Sequence, residues 1–152
     1  MIDSRDVKDL HPAARERAVA WLAACKKAGL DVLITCTYRD NEAQNRLYAK
    51  GRTKPGKIVT NARGGSSLHN YAVAWDFVVM SHGKPMWNDL KSFRAAGEIA
   101  ESLGCEWAGR WKTFKEMAHI QFTGGLSLRD LRAGKRPQPF VAPKPAIAKK
   151  AA

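Results

Sequence analysis

The sequence lacks any run of eighteen consecutive apolar residues, and its first six residues (Met1 to Asp6) include no apolar segment. A membrane-spanning helix needs about 20 predominantly apolar residues, and a secretory signal peptide has a shorter apolar core. We therefore expect neither a membrane span nor a signal peptide.

Cysteine is also scarce. The three cysteines (Cys25, Cys36 and Cys105) are odd in number, widely spaced and set in apolar surroundings. This pattern predicts reduced core residues and synthesis in a cytosol. The sequence has no H-E-x-x-H or C-x-x-C motif, and its glycine-rich stretch 52–67 lacks the phosphate-loop pattern. These absences exclude the most common short motifs for zinc and for nucleotide phosphates.

Acidic residues are few relative to basic ones. The 152 residues include 14 Asp and Glu against 26 Lys and Arg, which gives a net charge of +12. A field of that sign favours polyanions such as nucleic acid, anionic lipid, lipopolysaccharide or teichoic acid. Charge alone does not choose among them, and a solvated surface without a dedicated partner gives the same composition.

The composition changes at the C-terminus. Residues 134–152 contain four prolines and five basic residues but no acidic residue. This composition predicts an extended, flexible tail that serves either solubility or polyanion binding. We therefore divide the chain into a domain over 1–133 and a basic Pro-rich tail over 134–152.

Hydrophobic periodicity predicts an α+β domain. An apolar content of 45% is sufficient for a single globular core. Period and boundary signals predict helices over 12–28, 41–50, 89–103 and 126–132, and strands over 31–38, 73–80 and 118–122. Gln44 is available for a capping box at the start of the second helix, which would make it a structural residue that holds the turn carrying Arg39. No internal repeat is present.

Two short stretches contain the residues that could perform chemistry. His69 precedes the apolar run 73–80, which is interrupted only by Asp76, and Glu116 lies three residues before His119. An ionised Asp inside an apolar strand is costly to bury unless it is paired or binds a cation. Two imidazoles and one carboxylate suit a catalytic zinc with an open position, and Glu116 is then available as a general base.

Each of these residues also has an ordinary structural interpretation. A single histidine is more often a surface or hydrogen-bonded residue than a metal ligand, and Asp76 has many arginines available as ion-pair partners. Glu116, beside Lys115, fits a solvated charge. Residue spacing alone leaves both interpretations open.

Three motifs resemble those of a known family of zinc peptidases. Residues 67–76 (Ser-Leu-His-Asn-Tyr-Ala-Val-Ala-Trp-Asp) resemble its S-x-H-x-x-G-x-A-x-D motif, and residues 116–119 resemble its E/D-x-x-H motif. Residues 37–40, followed by Gln44, resemble its Y-R-S…Q stretch. The family includes D-alanyl-D-alanine carboxypeptidases, vancomycin-resistance dipeptidases and phage L-alanyl-D-glutamate endolysins. The resemblance spans roughly residues 30–125.

The resemblance implies a site and a mechanism. Its metal ligands fall on His69, Asp76 and His119, its catalytic acid/base falls on Glu116, and its oxyanion-stabilising arginine falls on Arg39. It implies Zn2+ in a cleft at a short antiparallel sheet flanked by helices. There the metal activates water, and Glu116 takes the proton from the water and passes it to the leaving nitrogen.

The resemblance also implies a biological role. We expect a monomeric endolysin, made in a host cytoplasm, that acts after its release on the L-alanyl-D-glutamate amide of peptidoglycan stem peptides. The basic tail would contact anionic cell-envelope polymers, and no dedicated nucleic-acid partner is expected.

Two further points concern local structure. The usual glycine of the first motif is Ala72 here, and a positive φ at an alanine costs about 1 kcal/mol. Three aromatics before the second motif (Trp107, Trp111 and Phe114) are expected to form core or cleft wall rather than a base-stacking platform.

Alternatives from other classes remain open at this point. A D-alanyl-D-alanine carboxypeptidase would share the site but release terminal D-alanine. A basic nucleic-acid-binding protein with structural histidines would bind DNA in a salt-dependent, chelator-independent way. A metal-bound but inactive wall-binding module would keep binding when Glu116 is replaced by Ala.

Overall fold

The computed structural model describes residues 1–139. The part of the predicted tail from residue 140 onward lies outside the described residues. Within 1–139, Arg136 places its guanidinium 5.3 Å from the ring centre of Tyr71 and donates to the Leu131 carbonyl oxygen at 2.9 Å. No helix in this part of the chain is long and apolar enough to cross a membrane.

Within residues 1–139, four α-helices occupy the segments where the sequence predicts them, with ends that differ by at most two residues. They are α1 (Pro12–Lys27), α2 (Asn41–Ala49), α3 (Leu90–Ser102) and α4 (Leu128–Arg132). Side chains cap their first turns, as Asp40 does by accepting a hydrogen bond from the Ala43 amide. The expectation that Gln44 joins a capping box on α2 is wrong, because Gln44 is buried and its side chain binds elsewhere.

Five strands of the described part of the chain form one antiparallel sheet. In chain order they are β1 (Val32–Cys36), β2 (Ala74–Ser81), β3 (Lys84–Pro85), β4 (Glu106–Trp107) and β5 (His119–Gln121). Their spatial order is β1-β2-β5-β4, and β3 pairs with β2. Sequence patterns predict β1, β2 and β5 but miss β3 and β4, because two residues are too few to show a period of two. The predicted α+β domain with a short antiparallel sheet is confirmed.

One face of the sheet forms the core. On β2, Trp75 and Phe77 are fully buried and pack their rings against Trp21 of α1, at centroid distances of 6.0 and 4.9 Å. Phe77 also lies 5.3 Å from Phe93 of α3. The three cysteines are buried and free, as predicted. Helices α1 and α3 therefore cover the face to which the odd-numbered residues of β2 point.

The opposite face of the sheet presents Asp76. Because successive side chains of a strand point to opposite faces, Asp76 points away from Trp75 and Phe77. The register places Cys36 of β1 on one side of Asp76 and His119 of β5 on the other. A bulge between Ile34 and Cys36 brings Cys36 into this register. The sheet thus aligns polar side chains from three strands on the face opposite Trp75 and Phe77.

Candidate metal centre

Three donor atoms converge on this face of the sheet. His69 Nε2 lies 3.2 Å from Asp76 Oδ1, and His119 Nδ1 lies 2.9 Å from the same oxygen. The two imidazole rings are 5.3 Å apart and nearly perpendicular, at 77°. The structure therefore brings together the three residues that the sequence motifs single out as metal ligands.

His69 is held by the backbone around it. It lies in a 3-10 helix, Leu68–Tyr71, where the Ser67 side chain accepts a hydrogen bond from the His69 amide at 3.3 Å. Its Nδ1 lies 2.8 Å from the Thr37 carbonyl oxygen, which is an acceptor only. Nδ1 consequently bears the ring proton, and the Nε2 lone pair faces Asp76.

The donor set fits zinc. Two imidazole nitrogens and one carboxylate oxygen are a ligand combination of catalytic zinc sites, in which a fourth position stays open. Zinc bonds of about 2.0–2.1 Å place tetrahedral ligands about 3.3 Å apart. The separations of 3.2 and 2.9 Å at Asp76 Oδ1 are close to that value. The residues present therefore match the group that the motifs predict.

The electrostatics of the cluster favour an ionised Asp76. Burial opposes its charge, but the neighbouring His69 and His119 outweigh that effect through charge and hydrogen bonds and hold the pKa of the Asp76 carboxyl below its usual range. Burial also opposes a charged His119, yet the hydrogen bond that its imidazole donates to Asp76 and the negative charge of that carboxylate raise the pKa of the imidazole. An anionic carboxylate between two imidazoles is the charge arrangement that attracts a divalent cation.

Glu116 lies at the edge of the cluster. Its Oε2 is 4.0 Å from His119 Nδ1, the ring nitrogen that faces Asp76, and its side chain is 63% exposed. The residue belongs to an irregular segment in which residues 112–116 are all exposed. A carboxylate at this distance is within reach of a water molecule shared with the donor atoms.

Arg39 is anchored beside the cluster rather than aimed across it. Its Nε donates to Asp3 Oδ1 at 3.1 Å, and its Nη1 donates to Gln44 Oε1 at 3.1 Å. Its Nη2 lies 3.0 Å from Cys36 Sγ. Gln44 also donates to the Ala62 carbonyl oxygen at 2.8 Å. Gln44 is therefore structural, as the sequence indicated, because it joins the Arg39 turn to the loop before His69.

Cys36, which the sequence pattern predicts only as a core residue, is a close neighbour of the centre. One potential ligand atom from each of Cys36, His69 and Asp76 lies within 4.8 Å of the others. However, Cys36 Sγ approaches His69 at Nδ1, at 3.5 Å, and that nitrogen is engaged by Thr37. Burial raises the pKa of the Cys36 thiol to about 12, so it stays protonated at neutral pH and is a poor metal ligand.

The cleft at the centre has two lobes that meet at Glu116. One lobe, of about 520 Å³, is lined by residues 58–62 together with Ser66 and Phe114. The other, of about 370 Å³, reaches Asp76 and has an apolar wall of Trp87, Leu90, Phe93 and Met117. A substrate chain that crosses Glu116 can therefore occupy a lobe on each side.

The aromatic residues before the second motif take the places expected of them. Trp107 is buried in the core, and the Trp111 ring lies 6.0 Å from that of His119. Phe114 is 80% exposed and has a positive φ of 52°. Trp107 thus lies in the core, and Phe114 lines one lobe of the cleft.

Ala72 adopts the left-handed conformation that its motif position requires. Its φ is 57° and its ψ 33°, at the C-cap of the 3-10 helix that contains His69. The Ala72 amide donates to the His69 carbonyl oxygen at 3.3 Å. The turn therefore keeps the backbone shape typical of a glycine, with about 1 kcal/mol of strain in the alanine.

Comparison with known proteins places these residues in a family. Residues 60–122 match the family described as D-alanyl-D-alanine carboxypeptidase, and this segment contains all four candidate residues from His69 to His119. The peptidoglycan L-alanyl-D-glutamate endopeptidase CwlK of Bacillus subtilis is 43% identical over 122 residues, which cover 74% of this chain and 73% of that protein.

A phage enzyme and a solved structure extend the comparison. The L-alanyl-D-glutamate peptidase of Listeria phage A118 is 31% identical over 113 residues, which cover 72% of this chain but only 36% of the phage protein. The crystal structure of the Serratia marcescens L-Ala D-Glu endopeptidase ChiX superposes with a TM-score of 0.58 at 21% identity, over 83% of this chain and 86% of that chain. The latter similarity shows a shared fold.

Proposed function

This chain belongs to the D-alanyl-D-alanine carboxypeptidase family of peptidases, and we propose that it is a zinc-dependent endopeptidase that hydrolyses the L-alanyl-D-glutamate amide of peptidoglycan stem peptides. The observation that supports the chemistry is the convergence of His69 Nε2, Asp76 Oδ1 and His119 Nδ1 with a carboxylate, Glu116, 4.0 Å away. The choice of bond follows the two relatives that are 43% and 31% identical.

In this proposal His69, Asp76 and His119 hold the metal. Bound zinc would polarise the amide carbonyl and make water acidic enough to supply a nucleophile at neutral pH. The protein keeps the three donor atoms in place through the β2 and β5 register and the 3-10 helix, so little reorganisation is needed on binding.

Glu116 acts as the general acid/base. Its carboxylate accepts the proton of the attacking water and then donates it to the amide nitrogen as the C–N bond breaks. Its position on an exposed segment suits this role, because the carboxylate must reach first the water and then the leaving nitrogen.

Arg39 stabilises negative charge that develops on the carbonyl oxygen. A guanidinium retains its charge at any physiological pH, and here Asp3 and Gln44 hold it in a fixed orientation. Its Nη2 contacts Cys36 Sγ, and that sulfur also contacts His69, so Nη2 lies on the His69 side of the centre.

The stem peptide lies along the two-lobed cleft. Residues 43–75 contain six basic residues and no acidic residue, and they supply most of the lobe lined by residues 58–62. Arg52 donates to Asn61 Oδ1 at 3.1 Å on this side. The D-glutamate side of the substrate bears free carboxylate, so we place it in this lobe and the uncharged L-alanine side in the apolar lobe with Trp87 and Leu90.

The deciding experiment is digestion of purified peptidoglycan with and without a chelator, followed by mass identification of the released peptides and their new amino termini. We expect new D-glutamate amino termini that disappear on chelation and return when zinc is added. Release of terminal D-alanine would instead identify a carboxypeptidase. Absence of any cleavage after zinc addition would contradict the enzymatic function, and salt-dependent DNA binding would then support the nucleic-acid alternative.

The proposal includes where the enzyme works. We propose that it is made in a host cytoplasm, acts on the cell wall after release and causes bacterial lysis as a monomer. Contact with anionic cell-envelope polymers would come from the basic residues of 134–152. A sedimentation assay with purified envelope polymers, comparing the full chain with a variant that ends at residue 139, tests the contribution of the last residues.

A further inference from the structure

Two side chains outside the recognised motifs connect His119 to the surface. Glu106 of β4 and Gln121 of β5 are directly opposite each other in the antiparallel register. Gln121 Nε2 donates to Glu106 Oε2 at 3.0 Å, and Gln121 Oε1 lies 3.0 Å from His119 Nε2. Gln121 is buried, whereas Glu106 is exposed.

The chemistry of Glu106 determines the orientation of the Gln121 amide. An ionised carboxylate only accepts hydrogen bonds, so the group that faces it must be the amide NH2. The amide oxygen then faces His119 Nε2 and accepts its N–H. The proton of the neutral imidazole is thereby held on Nε2, and the lone pair is left on Nδ1, the atom 2.9 Å from Asp76 Oδ1.

Each of the two histidines directs one ring nitrogen at Asp76, but different groups hold the two rings in that orientation. His69 is held by a backbone carbonyl, that of Thr37, and presents Nε2 to Asp76. His119 presents the other ring nitrogen, and its fixed partner is a side chain that depends on a second side chain. Mutation can therefore remove the support of His119 without altering the backbone.

We infer that Glu106 and Gln121 form a positioning relay that selects the Nε2–H tautomer of His119 and so strengthens metal binding at its Nδ1. The inference rests on the proposed function, because it assumes that His119 is a metal ligand. Partners of this kind orient a ligand and are worth about 10-fold to 100-fold in metal affinity or activity. Neither residue touches the substrate or the metal, so both are positioning residues.

The test measures the zinc dissociation constant by competition with a chromophoric chelator. Gln121→Met keeps the approximate length of the side chain but removes both hydrogen bonds, and we expect zinc binding about 10-fold to 100-fold weaker. Glu106→Ala leaves the amide in place but free to rotate, so we expect a smaller loss. Glu98→Ala is the matched control, since Glu98 lies on α3 and pairs with Arg110, and its zinc affinity should be unchanged.

A swap of the two side chains separates positioning from folding. Gln121→Glu alone places two carboxylates in contact and should weaken zinc binding. Gln121→Glu combined with Glu106→Gln restores an acceptor for His119 Nε2–H and a donor for the new carboxylate, so zinc affinity should recover. Nitrogen NMR of the imidazoles, which reports the protonated ring nitrogen, should show Nε2–H at His119 in the zinc-bound forms of the unaltered protein and of the double swap.

The outcomes distinguish the relay from the metal centre itself. The relay is overturned, and the metal centre stands, if the unaltered protein binds zinc and three variants bind it equally well. These variants are Gln121→Met, Glu106→Ala and the double swap. If the unaltered protein binds no zinc, both are overturned. Since Glu106 is exposed, its variants test the relay even if Gln121→Met fails to fold, which circular dichroism would reveal.

Discussion

The proposed metal centre and the rim of its cleft are built in opposite ways. The side chains of His69 and His119 are 5% and 10% exposed, and each has a hydrogen-bonded partner on the ring nitrogen that points away from Asp76. On the rim, the Glu116 side chain is 63% exposed and Phe114 is 80% exposed. The proposed ligands come from the sheet and a capped 3-10 helix, whereas the rim is irregular.

This difference corresponds to two chemical requirements. A metal ligand set must keep one geometry, because affinity depends on donor atoms that are already in place. A proton carrier must serve two atoms in succession, and a cleft wall must admit a polymer. Exposed loop positions on a rigid scaffold meet that need. The following changes test whether the two regions are as separate as the structure indicates, from the largest expected effect to the smallest.

Replacing the central ligand should abolish both metal binding and activity. Asp76→Asn preserves the shape of the side chain but removes the charge between His69 and His119. We expect zinc affinity to fall by at least about 100-fold, with hydrolysis lost in parallel, since even outer partners of a ligand are worth that much. Zinc competition titration and a peptidoglycan assay measure the two effects, and Asp31→Asn, an exposed aspartate before β1, is the control. Full zinc affinity in Asp76→Asn would show that the metal lies elsewhere.

Replacing the rim carboxylate should separate activity from metal binding. We expect Glu116→Gln to lower kcat by about 100-fold to 10,000-fold, the usual contribution of a general acid/base, with zinc affinity unchanged. Glu98→Gln serves as the control for loss of one surface charge. Weaker zinc binding in Glu116→Gln would mean that this residue is a ligand and that the rim and the centre are one unit.

Replacing Phe114 tests whether the exposed cleft wall contributes to substrate binding. Phe114→Gly removes an aromatic surface and relieves a positive φ of 52°, so we expect KM to rise by up to about 10-fold, with kcat unchanged and no loss of thermal stability. Leu33→Ala, at an exposed apolar position on β1 outside the cleft, should leave KM unaltered. An unchanged KM in Phe114→Gly would remove Phe114 from the substrate path.

The smallest expected effect concerns the turn after His69. Ala72→Gly relieves a left-handed alanine and should stabilise the fold by about 0.5–1 kcal/mol without altering hydrolysis. The reverse change at Gly29, which has a φ of 78° and open space around its Cα, should destabilise by a similar amount. Urea unfolding measures both. A destabilised Ala72→Gly would show that the alanine methyl contributes more packing than its conformation costs.

Much of the fold was predictable because it depends on patterns that are local in the chain. The α1 and α3 helices show helical periodicity with clear ends, and the buried β2 strand is a continuous apolar run. The strands β3 and β4, with two residues each, offer no such pattern, so β4 and its Glu106 were missed. The capping box assigned to Gln44 was wrong for a different reason, since a buried contact with Arg39 took precedence over a local cap.

The sequence by itself determined the identities of the reactive groups and the anomaly of a single carboxylate, Asp76, in an apolar strand. These are properties of residue type and spacing along the chain. The tertiary structure alone decided which ring nitrogen each histidine presents to Asp76. It also decided that Gln121 contacts His119 and that Glu106 contacts Gln121. Such facts depend on strand register and on contacts between strands and loops that only folding brings together, and no periodicity in the sequence encodes them.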